Sequence, residues 1–306
     1  MSKKNTCIFI LILLTQLQMT GQLYPQQSMY MFNALGINPG SVGQQNALNV
    51  TLSHRTMWQG ISGAPRTNYF TVHSPLKNEK IALGIQFYQD KIGVSSKNTI
   101  QATSAYRLKL GRNRLSFGLT AGITSCTNMW SQVVTTDADD QSFNSGDASY
   151  MMPSSGAGIY YDSPLGFAGV SVPQFFTATY VGGNEYTGFQ KIGNHSYHIM
   201  GGRRFIVNKN IQVQGSTLIK YHQTTKTQID LTAMLHYQRI ADLGITIRPK
   251  DAVTILMRGR VNDQFKVAYS FDFLTSNLAR YGGGTHELAL TYTFIFNSNA
   301  PNTRFF

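Results

Sequence analysis

From Ala47 onward the chain alternates apolar and polar positions with a period of two, in segments of about 8 to 12 residues set apart by turn-forming residues. In EKIALGIQFYQD this puts Ile81, Leu83, Ile85 and Phe87 on one face and Ala82, Gly84, Gln86 and Tyr88 on the other. NRLSFGLTAGITS repeats the pattern, with Leu115, Phe117, Leu119, Ala121 and Ile123 opposite Ser116, Gly118, Thr120, Gly122 and Thr124. One face is apolar and the other small or polar, which is the repeat of a strand and not of a helix. The segments predict strands over 47–58, 66–74, 79–89, 98–110, 113–125, 154–162, 166–173, 195–206, 211–223, 228–240, 243–249, 252–259, 264–274 and 286–296, about fourteen in all.

The connections carry a second pattern. Short ones (SPLKNE, GRN, DSPLG, VNKN, AD, VND) take turns with longer ones (QDKIGVSSKN, the stretches after Ser125 and Pro173, TSNLARYGGGT). A membrane β-barrel sorts its loops this way, with tight periplasmic turns at one rim and longer extracellular loops at the other. If the apolar faces meet lipid, the polar faces line a lumen, and closure removes the sheet edges that hydrocarbon cannot satisfy. The expected fold is therefore all-β, a transmembrane antiparallel barrel. An even strand number returns both termini to the periplasmic side. The last segment, HELALTYTFIF, stacks Leu288, Leu290, Tyr292, Phe294 and Phe296 on one face, as a closing strand with an aromatic end requires.

The N-terminus reads differently. MSKKNTCIFILILLTQLQMTGQ places Lys3 and Lys4 ahead of an apolar run from Cys7 to Leu14, the layout of a secretory signal ending after Gly21. That run is shorter than the roughly 20 residues a helical span needs. Four units follow: signal peptide 1–21, a non-strand plug or dock segment 22–46, the barrel 47–296 and a tail 297–306. Loss of the two signal lysines takes the formal charge from +12 to +10. For an exported chain this basic balance points to anionic lipid or acidic protein surfaces and away from nucleic acid. Cys126 then stands alone, so the fold needs no disulfide.

Three blocks carry a likeness: YMFNALGINPGSVG (Tyr30–Gly43), RTMWQGISGAPRT (Arg55–Thr67) and HSPLKNEKIALGIQFYQDKIGV (His73–Val94). Together they resemble the PorP/SprF family of outer-membrane proteins associated with the Bacteroidetes type IX secretion system. Ala34, where proline is expected, and Gly40-Ser41 after Pro39, where Ala-Tyr is commoner, depart from the family pattern. The resemblance implies an outer-membrane barrel without enzymatic activity or cofactor. Its implied partners are a secreted cargo or surface adhesin, periplasmic secretion or gliding components, and outer-membrane lipid.

The residues themselves suggest where contacts fall. Asn38-Pro39 and the glycines at 36, 40 and 43 turn the opening segment instead of pairing it. Tyr30, Met31 and Phe32, with Asn33, are then expected against the inner wall or a periplasmic partner. Trp58, Gly60 and Pro65 on the first outer loop, and Lys91 and Gly93 on the next, are candidate cargo contacts. The alternative reading is a FadL-like transporter or porin for small hydrophobic compounds. No GxSxG, HExxH or phosphate-cradling loop occurs in the sequence. Asp137, Asp139, Asp140 and Asp147 form an acidic loop without EF-hand spacing, read as solvated, with calcium binding as the alternative. Arg203-Arg204 beside VNKN is read as a basic rim meeting headgroups. On the lipid face, Leu83→Arg is expected to cost about 2–4 kcal/mol near the midplane, and Gln86→Arg, facing a wet lumen, to cost little.

Overall fold

The computed structural model describes residues 26–133, 147–181, 184–189, 195–223 and 225–295, with side chains described throughout except at 177–181 and 184–189. The signal peptide, the tail 297–306 and Asp137, Asp139 and Asp140 lie outside the described residues. The strands are β1 (Leu48–Thr56), β2 (Arg66–Pro75), β3 (Ile81–Ile92), β4 (Ser95–Leu110), β5 (Asn113–Asn128), β6 (Ala148–Ser163), β7 (Gly166–Val172), β8 (Phe176–Val181), β9 (Asn184–Phe189), β10 (Tyr197–Ile206), β11 (Ile211–Tyr221), β12 (Gln228–Tyr237), β13 (Ala241–Arg248), β14 (Ala252–Arg260), β15 (Phe265–Leu274) and β16 (Thr285–Phe294).

Fourteen of them close into one antiparallel ring, while β8 and β9 pair only with each other. The seam is β1 on β16, running from Leu48 opposite Phe294 to Thr56 opposite His286. Every expected strand is present, and the β8–β9 hairpin is the addition, set within the connection from β7 to β10. Turns 76–80, 111–112, 164–165, 207–210, 238–240 and 261–264 share the lower rim with both ends of the barrel chain. The short-turn rule makes this rim periplasmic.

Two upper connections break the expected alternation of lengths. β3 and β4 stay paired as far as Ile92 opposite Ser95, so QDKIGVSSKN is strand except for a turn at Gly93, whose φ is 56°. Lys91 accordingly belongs to β3 and not to a loop. β13 and β14 are likewise joined by only 249–251. β4, β5 and β6 each run 16 residues, and the excess stands above the apolar band.

The outward face carries the apolar alternation: Leu83, Ile85, Ile100, Leu119, Ile159, Leu231, Ile245 and Met257 are all exposed on it. Leu83 and Leu119 flank Ser104 on β4 at the middle of this band. The inward face is packed instead of wet. Tyr69 donates to Gln86 at 2.5 Å, Gln86 to Gln101 at 2.5 Å, and Gln101 to Ser154 at 2.7 Å. The last bond passes over β5, where Gly122 faces both Gln101 and Ser154. A side chain at 122 would overlap β4 backbone. The low cost expected for Gln86→Arg is therefore corrected, because Gln86 is 5% exposed and holds two polar neighbours that a guanidinium would leave unsatisfied. In denaturant-titrated refolding into lipid vesicles, Leu83→Arg should lose about 2–4 kcal/mol. Gln86→Arg should lose at least about 1–3 kcal/mol in the same assay, where a wet lumen would return almost no change.

Candidate functional site

The lumen is where residues distant in sequence converge. Arg55, Asp230, Arg248, Asp272 and Glu287 occupy inward positions near the upper ends of β1, β12, β13, β15 and β16. Arg55 Nη2 reaches Asp272 Oδ2 at 2.6 Å and Arg55 Nη1 reaches Glu287 Oε2 at 2.9 Å. Arg248 Nε bonds Asp230 Oδ1 at 2.9 Å, its Nη1 lies 3.6 Å from Asp272 Oδ2, and Thr254 donates to Asp272 Oδ1 at 2.9 Å. All five ionic side chains are buried. Charges out of water persist only when paired and hydrogen-bonded, and here each carboxylate meets a guanidinium.

The N-terminal segment enters this network directly. The Ser28 amide donates to Glu287 Oε2 at 2.9 Å, and Ser28 Oγ donates to Asp272 Oδ1 at 3.0 Å while accepting from Arg55 Nη1 at 3.0 Å. From there the chain descends. Met29 packs with Leu256, Ala268 and Ala289, and Tyr30 with Tyr160, Phe167, Met200 and Leu218. The Tyr30 hydroxyl lies 3.4 Å from Ser216 Oγ on β11, while Asn33 Nδ2 donates to Thr71 Oγ1 on β2 at 3.2 Å. β11 and β2 are seven places apart in a ring of fourteen, so the segment spans opposite walls. Phe32 lies under the Arg258 guanidinium, 4.1 Å from carbon to ring centroid.

Asn38 is the tightest docking point. Its amide donates to the Ile159 and Val170 carbonyls at 3.0 and 3.3 Å, and its oxygen accepts from the Gly40 amide at 2.8 Å. The wall there is bare: a Cβ on Gly158 or Gly169 would meet the Asn38 side chain, and one on Gly118 would meet the Pro39-Gly40 backbone. These glycines serve close approach of one backbone to another. Below them the Gly43 amide donates to His73 Nδ1 at 3.2 Å, and Asn46 Oδ1 accepts from Arg107 and Arg114 at 2.8 and 2.9 Å. The chain then enters β1 at the lower rim.

The opening segment packs and bonds against the inside of the barrel wall. Tyr30, Asn38 and Pro39 are buried, and Met31, Phe32 and Asn33 half-buried. Of the outer-loop residues, Gly60, Lys91 and Gly93 are exposed, Trp58 is half-buried and Pro65 is buried with its carbonyl bonded to the Met57 amide. The structure fastens these connections together. Gly93 N–H donates to Gly63 O at 2.8 Å, and Gln59 exchanges bonds with Gly283 and Gly284 across to loop 275–284. At Asp147, the Ser131 amide donates to the carboxylate at 3.0 Å and holds its pKa below the ordinary value. The five-residue ionic cluster escaped sequence reading, although charges at inward positions near the strand ends were an available signal.

The family model for the type IX secretion system membrane protein PorP/SprF matches residues 19–292. The chain belongs to the PorP/SprF family. It is thus an outer-membrane barrel of the type IX secretion family, and the three blocks Tyr30–Gly43, Arg55–Thr67 and His73–Val94 fall inside the match. No curated protein matches the chain. Among solved structures, the CymD monoaromatic hydrocarbon channel is 12% identical and covers 92% of this chain and 96% of its own, with a TM-score of 0.54. A Pseudomonas aeruginosa FadL homologue is 13% identical over 90% and 96%, with a TM-score of 0.47. The first of these likenesses concerns the barrel fold alone.

Removing one partner from a buried ion pair strands the other charge. Arg55→Ala in this PorP/SprF barrel should cost about 3–5 kcal/mol in urea unfolding from detergent micelles. Ser28→Ala, which leaves the ion pairs intact, should cost about 1 kcal/mol.

Proposed function

We propose that this barrel acts as a rigid outer-membrane holder, binding or anchoring a secreted surface protein at its upper loops and coupling below to periplasmic components of the secretion system. The observation that carries this reading is the N-terminal segment, which is bonded at its top to the ionic cluster, in the middle to opposite walls, and at its base to Arg107 and Arg114. A lumen occupied at all three levels leaves the two rims as the working surfaces. At the upper rim, loops 57–65 and 275–284 and the turn at Gly93 are tied by backbone bonds into one platform, and Gly60, Lys91 and Gly93 stand exposed on or beside it. Family membership supplies the setting, since cargo and machinery must meet such a protein at the outer membrane.

The transporter reading finds less support. Threonine, serine, glutamine and charged residues make up much of the inward face, and its apolar patches are packed against Met29 and Tyr30, which leaves a poor surface for a small hydrophobic compound. The two readings separate in a deletion strain. Loss of one large surface protein with unchanged permeability to small hydrophobic compounds is the expected outcome, and loss of uptake with normal surface proteins would reverse the assignment. Pull-down of the detergent-extracted chain with mass spectrometry should return a surface protein and a periplasmic component together.

A further inference from the structure

The charge of this chain is concentrated at one end. The six short turns with their flanking strand ends (76–82, 105–116, 160–167, 202–214, 236–242 and 257–267) hold thirteen Lys and Arg against four Asp and Glu. The upper cluster, by contrast, sets Arg55 and Arg248 against three carboxylates. Part of the lower excess encloses a cavity of about 630 Å³ at the periplasmic mouth. Arg204, Lys209, Arg239, Arg258, Arg260 and Lys266 line it, with Asp162 and Asp242 as the lining carboxylates.

Six cations line this cavity against two carboxylates. Asp242 is already engaged by Arg258 Nε at 2.5 Å and His236 Nδ1 at 2.6 Å. Arg260 faces Asp263 at 3.4 Å, but that carboxylate is 84% exposed and the pair is weak. The Lys266 ammonium has no hydrogen-bond or ion-pair partner among the described residues. Arg239 keeps a φ of 59° beside Gln238 at 47°, in a two-residue turn where Asn-Gly is the unstrained choice. A bulky cation retained in a left-handed conformation at a cavity mouth is the kind of outlier that marks function.

Lipid headgroups do not account for the inward members. Arg204 shares the inward parity of His198 and Met200 on β10, whereas Arg203 points outward with its guanidinium 5.7 Å from the Phe205 ring. The sequence leads both arginines to be expected at headgroups, but Arg204, on the inward side of β10, is not placed for that contact. Arg258, Arg260 and Lys266 also lie at inward positions, with the barrel wall between them and the bilayer. Cations gathered in a low-dielectric mouth focus a positive potential along the axis toward the periplasm.

We propose that this vestibule docks a carboxylate-rich peptide segment presented by a periplasmic protein. The inference rests on the periplasmic coupling proposed above and names its chemistry. A peptide fits better than a single oxyanion because the cations are spread over β10, β14, β15 and two turns, around a volume in the range of about 300–1,000 Å³ that holds larger ligands.

The test uses the full chain purified in detergent and a fluorescein-labelled peptide alternating glutamate with glycine. The peptide should bind, weaken steeply with added salt, and lose about tenfold or more in affinity in the double variant Arg260→Gln, Lys266→Gln. Arg66→Gln at the upper rim should leave binding unchanged, and a glutamine–glycine peptide should not bind. Heat-modifiable migration on gels confirms that each variant retains its barrel. Absence of binding, equal affinity in the folded double variant, or displacement by inorganic phosphate at matched concentration would overturn the proposal. Recovery of a periplasmic partner by pull-down without peptide binding defeats this inference and leaves the functional reading standing. Peptide binding with no periplasmic partner does the reverse.

Discussion

Hydrocarbon offers no partner to a bare N–H or carbonyl, and this one constraint organises the molecule. A sheet with an edge is untenable in the bilayer, so β1 must find β16. That seam brings the first and last barrel strands together, and Arg55 comes to lie against residues 217 and 232 positions away in sequence. The ionic cluster is thus a product of closure: no open sheet holds Arg55, Asp272 and Glu287 within bonding distance.

Closure also creates an interior that cannot stay as it forms. Fourteen inward faces surround a space that must be filled by water or by protein, and residues between Ser28 and Asn46 bond to inward side chains at several levels of it. The segment supplies what each level of the wall needs. Ser28 provides a donor and an acceptor to the charge cluster, Tyr30 fills an apolar pocket, Asn38 satisfies two strand carbonyls over bare glycine, and Asn46 caps two arginines. Wall and segment are complementary in chemistry as well as shape, with small residues where backbone approaches and ionic ones where a polar turn sits.

What could be read from the sequence follows from the same physics. Lipid demands an apolar residue at every second position, so strands such as Ile81–Ile92 declare themselves by pattern. Above the membrane that demand lapses, since water accepts polar residues on both faces. The stretch QDKIGVSSKN therefore has loop composition while Asp90 still pairs with Lys97 and Lys91 with Ser96. The β8–β9 hairpin hides for the same reason, its one sequence signal being Gly182-Gly183 between FTATYV and NEYTGF. The wet lumen assumed for Gln86 failed because pattern reports which face a residue occupies, not what fills the space beyond it. Long-range pairing, as between Arg55 and Glu287, carries no local signature at all.

The two rims differ chemically, with loops bonded to one another above and a basic mouth below. Amide hydrogen exchange on the full chain in lipid nanodiscs tests whether the N-terminal segment braces the barrel from within. The amides of Ser28, Gly40 and Gly43 donate to Glu287, Asn38 and His73. They should exchange as slowly as strand amides at the barrel seam. Exchange at the rate of an unstructured chain would place the segment outside the lumen and contradict that bracing.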